Sequence, residues 1–168
     1  MTTAWCEKAW VWLTLLAVAL AAAPALAGSV FSAEGSFERT LTVTGPVALD
    51  VTTGAGNIQI RTRESGRVRV VGRIRATHGF LGGRRGAEEK VRYLEAYPPV
   101  EQSGNSIRIG TIEQEELRRN ISISYEIEVP AEARVKAHTG SGNLTIEGVK
   151  LRGPLIDLHT ASGNIRIE

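Results

Sequence analysis

Cysteine occurs once in this 168-residue chain, methionine once and tryptophan three times, and all five of these residues fall before residue 28. Whatever folds beyond that point does so without a disulfide framework. Charge of one sign is also missing: 20 Lys and Arg face 18 Asp and Glu, a net of +2. With no global basic excess, no nucleic-acid partner is expected. Aromatic residues make up 5% of the chain, and past the leading segment only Phe31, Phe37, Phe80, Tyr93, Tyr97 and Tyr125 supply aromatic mass. A core here must be built of Val, Ile and Leu, a composition that suits sheets.

A long hydrophobic run is absent too. The longest, AWVWLTLLAVALAAA at residues 9–23, falls short of the ~20 residues that span a bilayer. It leads through Pro24 into Ala25-Leu26-Ala27, a small-x-small cleavage pattern, so residues 1–27 read as a signal peptide cut after Ala27. An uncleaved anchor reaching back to Trp5 is the alternative. Cys6 precedes the apolar run and is misplaced for a lipoprotein signal. The expected location is extracytoplasmic: periplasm, cell surface or medium. Residues 28–168 form a single domain on length.

What is present is period-2 alternation. It predicts strands near 37–43, 47–53, 57–62, 67–76, 106–110 and 120–130, with Gly72 marking a bulge or bend in the fourth. THGFLGGRRG reads as a glycine-rich loop. In AEEKVRYLEAY, Val91, Leu94 and Tyr97 make a one-sided stripe that predicts a helix over 87–97, ended by Pro98-Pro99.

A short phrase occurs three times: TGAGN at 53–57, TGSGN at 139–143 and TASGN at 160–164, each before a β-like run. Aligned on its threonine, Val51, Ala137 and Leu158 share a column, and Thr52, His138 and His159 share the next. Gly54, Gly56 and Asn57, Gly140, Gly142 and Asn143, and Gly163 and Asn164 are the candidate structural turns. Glycine turns a corner at positive φ without a Cβ penalty, and asparagine tolerates the same region while bonding nearby backbone. A β repeat of about twenty residues predicts an all-β fold: a β-solenoid of stacked coils with one short helix inserted near 87–97. The L-x-x-L-x-L spacing of leucine-rich repeats and the G-G-x-G-x-D of calcium-binding rolls are both absent.

The order SFERTLTV, TTGAGNIQI, a charged helical insertion, ISISYEIEVP and serial TGSGN and TASGN turns resembles the bacterial putative-adhesin family, a β-strand-repeat domain of unknown function. The resemblance covers about residues 36–168. It implies an extracytoplasmic β-solenoid with an adhesive role, and brings no catalytic residues. The phrase stops in mid-array after SGNIRIE. The expectation is therefore either a fragment of a longer array or an open last coil that self-associates with another chain.

The sharpest local feature is Arg61, Arg63, Arg67, Arg69, Arg73 and Arg75, a run whose only acid is Glu64. Its period of two aligns most of them on one sheet face. Such a face can hold an acidic glycan, a lipid phosphate or nucleic acid; alternatively it is a solvated strand face or edge paired with acids such as Glu88, Glu89 and Glu95. His138 and His159 invite a metal, but zinc takes three or four ligands and the column offers Thr52 as its third member, so no metal site is assigned. GFLGGRRG lacks the Gly-Lys-Ser/Thr ending of a phosphate loop. No catalytic carboxylate pair or nucleophile elbow is legible, and no cofactor is expected. The leading reading is a non-enzymatic structural or adhesive envelope module, with an envelope polymer or surface ligand as partner. A polyanion-binding module on the Arg61–Arg75 face and a carbohydrate-active enzyme on a β-helix are the alternatives.

Export is expected to leave Gly28 at the amino terminus, which the intact mass of the exported protein checks. That material should show no tryptophan fluorescence, because every tryptophan precedes the cut.

Overall fold

Apolar residues on alternate positions bury one face of most strands, and two such faces cover one another to make the core. The computed structural model describes residues 32–63, 66–77, 83–148 and 156–168. The signal segment 1–27 and the first half of GFLGGRRG lie outside them.

The elements are β1 (Ser32–Thr42), β2 (Val47–Ala55), β3 (Ile58–Thr62), β4 (Arg67–Thr77), α1 (Gly83–Ala96), β5 (Val100–Ser103), β6 (Ser106–Ile109), α2 (Glu115–Arg118), β7 (Ile121–Val129), β8 (Ala133–Ser141), β9 (Leu144–Glu147), β10 (Ile156–Ser162) and β11 (Ile165–Ile167). One sheet has six strands in the order β1-β4-β7-β3-β9-β11, and the other has five in the order β10-β8-β2-β6-β5. Their inward faces form one cluster of Val, Ile and Leu, with Phe37 and Tyr125 as its aromatic members. Each fully buried aliphatic side chain contributes about 1.5–3 kcal/mol relative to exposure.

This arrangement overturns the expected β-solenoid. Both sheets are mixed: β1–β4 and β4–β7 pair antiparallel in the first sheet, and β5–β6 pair antiparallel in the second. The fold is a sandwich of two sheets with two short helices. The physical reason lies between the first and second phrases. That stretch supplies β4 to β7, whose antiparallel strands extend both sheets instead of continuing a repeat.

The phrase itself has a clear purpose. Each copy ends a strand of the five-stranded sheet, turns a corner, and starts a strand of the six-stranded sheet. Thus β2, β8 and β10 run parallel in one sheet, while β3, β9 and β11 run parallel in the other. The register is that of the aligned phrases: Val51 opposite Ala137 opposite Leu158, and Thr52 opposite His138 opposite His159.

At the corners, Gly56, Gly142 and Gly163 have φ of 129°, 146° and 153°. A Cβ on Gly163 would strike the Gly142 carbonyl, one on Gly142 would strike the Gly56 carbonyl, and one on Gly56 would strike the Ile123 carbonyl. The asparagines form a ladder beside them. Asn143 N–H donates to Asn57 Oδ1 at 2.9 Å, and Asn164 N–H donates to Asn143 Oδ1 at 3.2 Å. The threonines complete the phrase: Thr53, Thr139 and Thr160 donate their hydroxyls to the carbonyls of Ile123, Gly56 and Gly142 respectively. Gly54 and Gly140 lie within β2 and β8, before the corner.

Gly72 makes no bulge. β4 pairs without interruption on both sides, and Gly72 sits between Phe37 and Tyr125. Its missing side chain makes room for the Phe37 ring, which meets Tyr125 edge-on at 6.4 Å. Helix α1 starts earlier than expected and ends before Pro98. It buries Ala87, Val91 and Leu94 against β1 and β4, while Tyr97 leaves the expected stripe and is 68% exposed, its ring tilted against that of Tyr93 at 5.2 Å. Strand β5 and helix α2 had no sequence forecast.

Gly142→Val is expected to cost about 1–3 kcal/mol for backbone strain alone, plus whatever displacement of the Gly56 carbonyl adds. Gly54→Ala is the control, because nothing stands within 4 Å of a Cβ there and alanine costs the unfolded chain less entropy to fix. Denaturant unfolding of both variants checks the contrast. Equal midpoints would remove the corner from its assigned role.

Candidate ligand-binding faces

The outer face of the six-stranded sheet carries the arginine run. Along β4, the alternation that buries Val68, Val70, Ile74 and Ala76 turns Arg67, Arg69, Arg73 and Arg75 outward. Arg61 lies on β3, and Arg63 follows directly after it. The sheet brings these residues together as the sequence implied, but it also brings acids to meet them. Arg69 forms a two-point pair with Glu38, at 2.7 and 3.0 Å. Arg61 meets Glu147 at 3.0 Å, Arg63 meets Glu128 at 3.1 Å, Arg73 meets Glu126 at 2.8 Å and Arg75 meets Glu34 at 2.9 Å.

The partners differ from the Glu88, Glu89 and Glu95 of the sequence reading. They come from β1, β7 and β9, and Glu95 instead accepts the Ser36 N–H at 2.9 Å. A signal for them existed: in SYEIEV, Glu126 and Glu128 hold the polar parity of a strand whose other parity is buried. The side chains stay largely open to water, so each pair alone contributes little and salt screens it.

The hydrogen bonds still move the carboxyls. Glu38 is held below its ordinary range by the Arg69 guanidinium. Glu147 is held down by Gln59, whose amide donates at 2.8 Å, and then by Arg61. On the inner side, burial pushes the Tyr125 phenol far up, and its hydroxyl has no hydrogen-bond partner among the described residues. That hydroxyl belongs to the core, not to a site.

The outer face of the five-stranded sheet is organised in cross-strand rows. Glu101, Arg108, Asp50, Lys136 and Asp157 follow one another across β5, β6, β2, β8 and β10, alternating in sign. The adjacent row is Ser103, Ser106, Ala48 and Arg134. A hollow of about 240 Å³ opens where these two rows meet. On the other side of the charged row stand His138 and His159, ring centres 6.0 Å apart, with His138 Nε2 4.0 Å from Asp157. Among the described residues, no three His, Cys, Asp or Glu are grouped to hold a metal ion.

No family model and no curated protein matches the sequence. Among solved structures, the chain is similar to a "putative cell adhesion protein" from Clostridium sporogenes, at 12% identity and a TM-score of 0.48. That match covers 79% of this chain and 59% of the other. It is also similar to a "putative adhesin" from Parabacteroides merdae, at 9% identity and a TM-score of 0.43, over 80% of this chain and 55% of that one. The chain thus spans less than two thirds of either structure.

The shifted carboxyls set a pH dependence. A group whose pKa is lower folded than unfolded contributes stability above its unfolded value and loses it as the pH falls through its folded value. For Glu38 and Glu147 the loss begins below the ordinary value of 4.5. The Glu38→Gln, Glu147→Gln double variant is expected to be less stable than the parent at neutral pH and to converge on it in acid, so that its stability falls less steeply as the pH drops. Urea midpoints across acid buffers check it, and parallel acid limbs would show that these carboxyls are not linked to folding.

Proposed function

We propose that this chain is a non-enzymatic module of the cell envelope, held outside the cytoplasm, whose work is structural or adhesive contact through the faces of its sandwich. The observation that supports this reading is the pairing on the outer face of the six-stranded sheet, where Arg61, Arg63, Arg69, Arg73 and Arg75 each hold a glutamate within 3.1 Å. A face of mutually paired charges offers a partner a fixed pattern to match.

Binding of a polyanion on the Arg61–Arg75 face would require the arginines to exchange their glutamates for the ligand. Such exchange replaces one exposed pair with another and gains little.

The test is to incubate the exported protein with envelope preparations and with a panel of glycans, following both retention and released product. Retention without product is the expected result. Turnover of any glycan would overturn the reading. Retention that disappears in the Arg67→Ser, Arg69→Ser, Arg73→Ser variant would move the contact to the arginine face.

A further inference from the structure

The free positive charge of this molecule does not lie where the arginine run places it. On the six-stranded sheet, Arg61, Arg63, Arg69, Arg73 and Arg75 each hold a glutamate within 3.1 Å. On the opposite sheet, Arg134 and Lys136 stand two residues apart on the exposed side of β8, and among the described residues neither forms an ion pair. Lys136 lies in register between Asp50 and Asp157, yet neither carboxylate closes on it. Both cations line the hollow of about 240 Å³, together with Asp50, Asp157, Ser106 and Ala48.

The hollow exists because of residue size. Ser106 and Ala48 line it with small side chains in one row, which ends at Arg134, while the row beside it carries Asp50, Lys136 and Asp157. Its floor is the backbone of β2 and β8 at Leu49 and Val135, whose side chains point into the core.

We propose that this hollow binds one ring of an acidic polysaccharide, a pyranose bearing a single carboxylate. The proposal deepens the adhesive reading and rests on it. A planar guanidinium takes a carboxylate in two parallel hydrogen bonds, and Arg134 has that capacity unspent. Asp50, Asp157 and the Ser106 hydroxyl are the acceptors and donor for ring hydroxyls on either side. The size limits the occupant to a single ring: pockets for drug-sized ligands run to about 300–1,000 Å³, and this hollow of about 240 Å³ lies below that range. The charge balance narrows the class further. Two cations face two carboxylates, so a densely charged polymer such as nucleic acid or polyphosphate meets repulsion with every second group, whereas one carboxylate per ring matches Arg134 and leaves the acids to the hydroxyls.

The experiment titrates galacturonate and glucuronate oligomers, with neutral glucose oligomers alongside, into the isotopically labelled exported protein and follows backbone amide shifts. Shifts centred on β2 and β8 are expected with the uronates only. Arg134→Ala is expected to weaken binding at least tenfold, and Ala48→Leu, which fills the hollow without altering charge, to do the same. Arg69→Ser should leave binding unchanged. Unchanged amide spectra outside the hollow establish that the variants fold. Equal binding of the neutral oligomers, or loss in Arg69→Ser with retention in Arg134→Ala, overturns the inference, as does the absence of shifts with any uronate. Envelope retention that survives Arg134→Ala sinks the hollow as the contact and leaves the adhesive reading standing, whereas cleavage of the oligomers sinks that reading.

Discussion

The two sheets are joined by corners at which one backbone passes directly over another, and this approach is the constraint on which the rest depends. Space exists there for a hydrogen and not for a methyl group, at Gly56, Gly142 and Gly163 in turn. Once the glycines let the corners stack, the remaining polar groups of the phrase fall into place. Asparagine satisfies the next corner's N–H and threonine satisfies the carbonyl left beneath it. The threonine bonds lie buried or partly buried, where an orphaned carbonyl would cost about 1–3 kcal/mol, whereas the asparagine bonds lie at the exposed edge of the corner. The phrase is thus a complete solution to one local problem, repeated because the problem recurs at each stacked pair of strands.

Both sheets inherit their alignment from these corners. Because each unit places one strand in each sheet, Thr53 opposite Thr139 on one side entails Ile58 opposite Leu144 on the other. A one-residue slip in either sheet would turn its whole apolar set outward. The aligned phrases therefore made register legible in advance: the columns Val51, Ala137, Leu158 and Thr52, His138, His159 are the pairs that form. Strand positions were legible for the same reason, since alternation states which residues face the core.

Neighbour and direction were not legible. A strand of given parity buries the same residues whether it pairs parallel or antiparallel, so nothing in RVRVVGRIRA announced that β4 runs antiparallel to both β1 and β7. That is where the solenoid expectation went wrong. Gly72 misled for a related reason. A glycine inside a strand signals either a bulge or a close approach, and the approach was made by Phe37, which sits far away in sequence. On the faces, the arginine run was visible as a run, but its glutamates arrive from three other strands. The hollow on the other sheet depends on small residues from β6 and β2 falling into one row, which no linear pattern contains.

The spacing of the three asparagines along the chain also orders how the sandwich can assemble. Asn143 and Asn164 are 21 residues apart, whereas Asn57 and Asn143 are 86 apart. Closing the longer loop costs about 1 kcal/mol more in chain entropy than closing the shorter one, and long-range parallel pairing is slow to form. The second and third corners thus pair at a lower chain-entropy cost than the first and second. Three similar phrases, stacked alike in the finished molecule, differ in the length of chain that each pairing must gather.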